Sequence, residues 1–302
     1  MRSKRFRVRL SARAFPAEER TGRSFPYITH TTMKKTTKKQ ILLTNDDGIG
    51  SPGLWAAAKT LSEIGFVTVA APSDHYSAFG RGWAKNSSGR IEKQTMTVHD
   101  QEWEVYAVHG SPSQTVAHAV LEILEHKPDL LVSGINYGEN LGTDLTYSGT
   151  VMAAFEGAAH GIPAVAVSMQ ILVEEWDTYH ADVDFTTAAY FAREFARLLL
   201  EKKMPRDVEL LNVVVPVDAT PHTPWRITRQ ANSRYYNPYV IREGDWDGKA
   251  RITSHPRVLD SIAHDSDIYT ALVDKLVSVT PLSLDFTSRV DLNDLDQLLR
   301  KK

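Results

Sequence analysis

Residues 40–72 read QILLTNDDGIGSPGLWAAAKTLSEIGFVTVAAP. Gln40–Thr44 is a short apolar run, Pro52–Ile64 has helical spacing with a proline in its first turn, and Phe66–Ala71 is a second apolar run. Strand, helix and strand in that order predict parallel strands joined by a crossover helix. The pattern repeats downstream. Pro112–Glu125 reads as a helix with Ser111 as its cap, Asp129–Ser133 as a strand, Gly149–His160 as a small-residue helix and Ala164–Ser168 as a strand. A helix across Asp184–Glu201 and a strand across Leu210–Val215 complete the run, while residues 91–98 and 103–108 alternate like a hairpin around His99-Asp100-Gln101. The fold class is therefore α/β, a mostly parallel sheet covered by helices on both faces. In such sheets ligands sit beyond the carboxyl ends of the strands.

The chain has 302 residues, of which 42% are hydrophobic and 24% charged, an ordinary globular composition. No apolar run approaches the length of a membrane-spanning helix. With no cysteine, disulfides, thiolate metal sites and cysteine nucleophiles are excluded. The net charge of -2 conceals an asymmetry: residues 1–40 carry 12 Lys+Arg against 2 Asp+Glu, leaving 23 and 35 for the rest. An acidic body would repel a phosphate backbone, which argues against a specific nucleic-acid partner, whereas hard divalent cations suit it. Residues 1–39 show no hydrophobic period and lack the apolar core of a secretory signal, so they are expected to be a disordered basic extension, with Met33 a plausible working start. The fold is expected over 40–302.

Past Pro216 the texture changes to aromatic, Pro, Asp and Arg residues, with strand-like pieces at Trp225–Arg229 and Tyr235–Ile241. Residues from about 220 to 275 read as an extended β-hairpin arm returning to the body near Val277–Leu282. Trp225, Tyr235, Tyr236, Tyr239 and Trp246 are too many aromatics for a solvated loop, so the arm is expected to bury them against another subunit.

The chemistry gathers at the predicted strand ends. Gln40–Thr44 runs directly into Asn45-Asp46-Asp47-Gly48, with no glycine fingerprint of a dinucleotide site but two adjacent carboxylates. Their mutual repulsion is relieved by a divalent cation, Mg²⁺ or Mn²⁺. The alternative is an Asx-turn in which one of them caps the following helix. After the second strand comes Ala71-Pro72-Ser73-Asp74-His75-Tyr76-Ser77-Ala78-Phe79-Gly80-Arg81-Gly82, and after the third Ser133-Gly134-Ile135-Asn136 leading to Ser148-Gly149-Thr150 at a helix start. Ser77 and Asn136 offer neutral oxygens. Ser148, Gly149 and Thr150 offer hydroxyls and backbone N–H groups suited to a phosphate, although an N-terminal serine is more often a plain cap. Asn45 is a further candidate donor, and Arg81 either faces a phosphate or is a solvated loop charge. His75 and His109 flank the same edge.

These segments, ILLTNDDGIGSPGL, APSDHYSAFGRG, VHGSPSQTV, PDLLVSGINYGENLGTDLTYSGTVMAAFEGAAHGIPAVAVS and VSVTPLSLD, in that order, resemble the SurE family of survival proteins over roughly residues 40–285. The resemblance implies a three-layer, Rossmann-like, mostly parallel sheet with a C-terminal β-hairpin arm. It implies a cytoplasmic, metal-dependent phosphatase acting on nucleoside monophosphates at the 5′ or 3′ ester, with short polyphosphate as a further substrate. By the family's motifs, Asp46, Asp47, Ser77 and Asn136 would hold one divalent ion per subunit, and exchanged arms would make a homodimer or homotetramer. Two features depart from the commoner pattern: the loop after Ser77 reads AFGRGWAKNSSGRIEK, and Thr115 stands where many members have cysteine.

On this reading Asp46 or Asp47 orients or deprotonates the attacking water, while Ser148, Gly149 and Thr150 hold the non-bridging oxygens. An aspartyl-phosphate intermediate ranks second, because both carboxylates are committed to the metal. A non-catalytic nucleotide-binding regulator is the alternative. An oxidoreductase is disfavoured, since two carboxylates would repel a pyrophosphate.

Overall fold

The computed structural model describes residues 38–171 and 183–301; the basic extension, apart from Lys38 and Lys39, lies outside them. The first half lays down β1 (Gln40–Thr44), α1 (Pro52–Leu61), β2 (Phe66–Pro72), β3 (Ile91–Val98), β4 (Gln101–Val108), α2 (Pro112–His118) and β5 (Leu130–Tyr137). Next come α3 (Gly149–Ala159), β6 (Ala164–Met169), α4 (Thr186–Glu201) and β7 (Leu210–Val215). The late elements are β8 (Trp225–Ile227), β9 (Tyr236–Arg242), β10 (Ala250–Pro256), α5 (Asp267–Leu272), β11 (Val277–Leu282) and α6 (Leu292–Arg300). Nine strands form one sheet in the order β3-β4-β2-β1-β5-β6-β7-β11-β8. Strands β4, β2, β1, β5, β6 and β7 are parallel, while β3 and β11 run antiparallel to β4 and β7.

Strand β1 shows why the sheet needs two covers. Alternate side chains point to opposite faces. Ile41 and Leu43 pack with Leu54 of α1 and Phe191 of α4, whereas Leu42 packs with Val151 and Phe155 of α3 on the other side. All three are fully buried, worth about 1.5–3 kcal/mol each relative to exposure. Three layers result, helix over sheet over helix, as expected.

Local chemistry sets the element ends. Pro52 opens α1, and Ser111 caps α2 in a reciprocal capping box with Gln114. The hairpin between β3 and β4 turns on His99 and Asp100 alone, both at positive φ. The helix expected through Glu125 is shorter: after His118 the chain widens into a π-turn over Ala119–Ile123, and Leu124 N–H donates to Ala119 C=O at 2.9 Å. The strand pieces of the arm do not pair with each other. Instead β8 joins the main sheet beside β11, and β9 pairs with β10 as a separate antiparallel ribbon. Helices α5 and α6 were not expected. Both begin at side-chain caps, Ser266 and Asp291.

One irregularity matters for the site. The register of β5 against β6 shifts between Ser133 and Asn136. Such a bulge re-aims the side chains beyond it. It is built on Gly134, at φ 135°, where an added Cβ would lie 2.3 Å from Val167 C=O. Gly134→Ala should therefore cost about 2 kcal/mol or more and misplace Asn136. Thermal denaturation of the variant checks this, and an unchanged midpoint would contradict it.

Candidate active site

At the carboxyl end of β1 the chain makes a tight loop. Asn45 closes it: its Nδ2 donates to Gly48 C=O at 3.0 Å and its Oδ1 accepts from Gly48 N–H at 3.2 Å. Gly48 takes φ 94° and lies against the Asp74 carbonyl, so β1 and β2 present their loops side by side. Asp46 and Asp47 follow Asn45 into the crevice. Asp46 is only 4% exposed. Burial first, then the Asp47 charge, raise its carboxyl from 3.8 to about 7.

Five predicted residues meet here: Asp46, Asp47, Asn136, Gly149 and Thr150. Thr150, in the first turn of α3, donates its hydroxyl to Asp46 Oδ1, and the same Oγ1 lies 3.1 Å from Asn136 Oδ1. Its backbone N–H also supports the Asp46 carboxylate. Asp47 Oδ2 accepts from Tyr137 N–H at 3.2 Å, and His75 Nε2 stands 3.5 Å from Asp47 Oδ1. Gly149 touches the acid directly: an added Cβ would sit 2.6 Å from Asp46 Cβ and Oδ2. Only a glycine lets the helix start approach the carboxylate so closely.

The other predicted residues are placed differently. Ser148 Oγ accepts from Val151 N–H at 3.0 Å, so it caps α3 and keeps only its own hydroxyl proton to offer. Ser77 is exposed in the loop after β2 and makes no hydrogen bond to the Asp pair or Asn136. Arg81 does not extend toward the pair. Its Nε donates to the buried Glu156 of α3 at 2.7 Å, and His160 approaches the other Glu156 oxygen at 3.5 Å. Arg81 thus ties the glycine loop to α3. His109 bonds Ser73 at 3.2 Å and Glu92 at 3.0 Å, away from Asp46. Sequence reading missed Gly134, Glu156 and Tyr137. The one available signal was Glu156, an acid inside an otherwise apolar small-residue helix.

Two carboxylates, an amide oxygen and a hydroxyl make an all-oxygen donor set, suited to a hard divalent cation. Among the described residues no three His, Asp or Glu side chains converge, so any cation here depends on the Asp pair with neutral oxygens. The pair's electrostatics can be measured directly. Because the folded Asp46 holds its proton up to about pH 7 whereas the unfolded one loses it near 3.8, the folded state binds the extra proton between these values. Its contribution to stability therefore falls as pH rises through that window. In chelator, the thermal midpoint of Asp46→Asn should gain on that of the unmodified chain from about pH 4 to about pH 7. A pH-independent difference would contradict the assignment.

Comparison with known proteins gives a consistent picture. A family model described as survival protein SurE matches residues 41–237. The 5′-nucleotidase SurE of Thermococcus gammatolerans is 40% identical over 260 residues, covering 86% of this chain and 96% of that one. The corresponding protein of Methanocella arvoryzae is 37% identical, covering 86% and 98%. The crystal structure of the SurE protein from Aquifex aeolicus superposes with a TM-score of 0.68 at 32% identity, covering 86% of this chain and 99% of that one.

Proposed function

The chain belongs to the SurE family, and from that premise we propose that it is a metal-dependent phosphatase hydrolysing nucleoside monophosphates. The observation that carries the reading is the convergence of Asp46, Asp47, Asn136 and Thr150 where β1, β5 and α3 meet. The donor set fits one Mg²⁺ or Mn²⁺, held by Asp46, Asp47 and Asn136, with Ser77 the remaining expected ligand. When bound, such an ion polarises a phosphoryl oxygen and lowers the pKa of water.

The chain's own groups divide the remaining work. Asp47, anchored by Tyr137 N–H, is the carboxylate placed to orient the attacking water. Asp46 is fixed beside it by the Thr150 hydroxyl. The Gly149 N–H at the start of α3 and the Ser148 hydroxyl proton are the donors that would hold non-bridging phosphate oxygens, since the Thr150 and Val151 N–H groups are taken by Asp46 and Ser148. His75, 40% exposed at the rim, is the imidazole closest to the pair and would protonate the leaving oxygen. Arg81 supports the rim through Glu156.

The test is phosphate release from nucleoside monophosphates, and from short polyphosphate, after chelation and with Mg²⁺ or Mn²⁺ added back. Metal-restored turnover is expected, and Asp46→Asn and Asp47→Asn should each lower it at least about 10- to 100-fold. Binding of nucleotide without release would instead identify a regulator.

The arm supports an oligomer. Tyr235 is buried within its own chain, but Trp225, Tyr239 and Trp246 are exposed, as are Val240, Ile241 and Ile252. A two-stranded ribbon with this much bare apolar surface is marginal in water. A homodimer or homotetramer joined through β9 and β10 would cover it. Light scattering at micromolar concentration should give a mass at least twice 33.8 kDa, falling when residues 237–256 are removed. A single-chain mass would overturn the proposal. No helix among the described residues is long and apolar enough to cross a membrane.

A further inference from the structure

Asn136, near the end of β5, brings its Oδ1 to 3.1 Å from Oγ1 of Thr150 in the first turn of α3, and that approach depends on the loop that joins these elements. That loop has a 3-10 turn of its own at Gly142–Thr146 and is tied to β6 through Gly138 and Asn140. Gly138 and Gly142 both take positive φ, 107° and 59°. It is covered on its outer side by residues 230–236, the root of the arm, more than eighty positions later in the chain.

The cover is bonded at several points. Asp144 Oδ2 accepts from the N–H groups of Tyr235 and Tyr236 at 3.0 and 2.9 Å. Thr143 N–H donates to Ser233 C=O at 3.0 Å, and a Cβ on Gly142 would lie 2.4 Å from that same carbonyl oxygen. Gln230 Nε2 donates to Gly142 C=O at 3.0 Å. Asp267, from α5, clamps both sides at once, taking Gly142 N–H at 2.8 Å and Ala231 N–H at 2.9 Å. Glu139 sits deepest. It is 2% exposed, and the phenols of Tyr235 and Tyr236 donate to it beside the backbone N–H groups of Glu139 and Ile171, while its Oε2 has no hydrogen-bond partner. Burying a carboxyl is costly unless donors are aimed at it. These two aromatic donors therefore bind the loop to the arm root rather than to solvent.

We infer that Glu139 and Asp144 are positioning residues for the phosphatase reaction: through residues 230–236 they fix the loop that sets Asn136 against Thr150. Neither touches the reacting atoms. A catalytic constellation must be held to about half an ångström, and here the arm root adds to the loop's own turn and its bonds to β6. The inference rests on the phosphatase reading, and its test separates the two.

Glu139→Leu and Asp144→Ala remove the acceptors, while Glu139→Gln and Asp144→Asn keep an oxygen in place. Initial rates with a nucleoside monophosphate and Mn²⁺, well below each variant's thermal midpoint, give kcat and KM separately. The first two variants should lose about 10- to 100-fold in kcat with KM changed less than about threefold, and the conservative pair should retain most of the rate. Hydrogen exchange at residues 148–151 should accelerate in the first two and not in the conservative pair. Tyr236→Phe, which removes one donor and keeps the volume, should give the same kind of loss if Glu139→Leu fails to fold. Unchanged kcat and unchanged exchange in folded variants would overturn the inference. So would a loss that the conservative variants share equally. If the unmodified chain releases no phosphate, the phosphatase reading falls, and the exchange measurement alone decides whether the arm root fixes this loop.

Discussion

Asp46 and Asp47 are neighbours in sequence at the closed end of a buried strand, and their charges repel in a region with little water to screen them. The top of the sheet is arranged around that repulsion. Thr150 brings a hydroxyl and a backbone N–H to Asp46, Tyr137 brings an N–H to Asp47, and His75 stands beside Asp47. These groups soften the conflict without removing it, and with burial as the larger cause the Asp46 carboxyl remains raised. A residual electrostatic cost at a strand end is what a cation-binding site requires, since the ion then gains what the fold gave up.

Geometry follows from the same constraint. Donors can reach Asp46 only if α3 starts almost in contact with it, and that contact needs Gly149. Asn136 reaches Thr150 only because β5 bulges at Gly134. The loop after β2 is kept at the rim by Arg81 on Glu156, a pairing of a half-exposed cation with a buried acid. Removing Arg81 would leave that acid with only the more distant His160 beside it, so a residue at the mouth of the crevice is also part of the packing beneath it.

Much of this was legible in the sequence, for identifiable reasons. Strands β1 and β7 have the expected bounds because each is a continuous apolar run ended by a polar residue or proline, the mark of a strand buried on both faces. The Asp pair and Asn136 could be singled out because chemistry-bearing residues sat after such runs, and Thr150 because Ser148-Gly149-Thr150 reads as a helix start. What was hidden depends on distant contacts. Arg81 reads equally well as a phosphate donor until Glu156 is seen beside it. Asn45 reads as a donor until its amide is found closing its own loop. The partner of β9 was missed because Ala250–Pro256 carries neither a strong apolar run nor a clean alternation, and pairing with β9 alone makes it a strand. Helix α6 had a readable cap at Asp291 and leucines at 292, 295 and 299, but its short length weakened the signal.

The bond from Thr150 to Asp46 spans 104 positions of sequence. On a ribosome, the acid pair leaves the exit tunnel long before the helix that will hold it. At ordinary elongation rates of about 5–20 residues per second, that interval is on the order of 5 to 20 s. For most of it β1 lacks β5, its neighbour on one side, which is complete only at Tyr137, and the two acids remain hydrated. Their hydration shell is given up only when α3 arrives, so closure of this corner is a late event in biosynthesis, with the entropic cost of a long loop behind it.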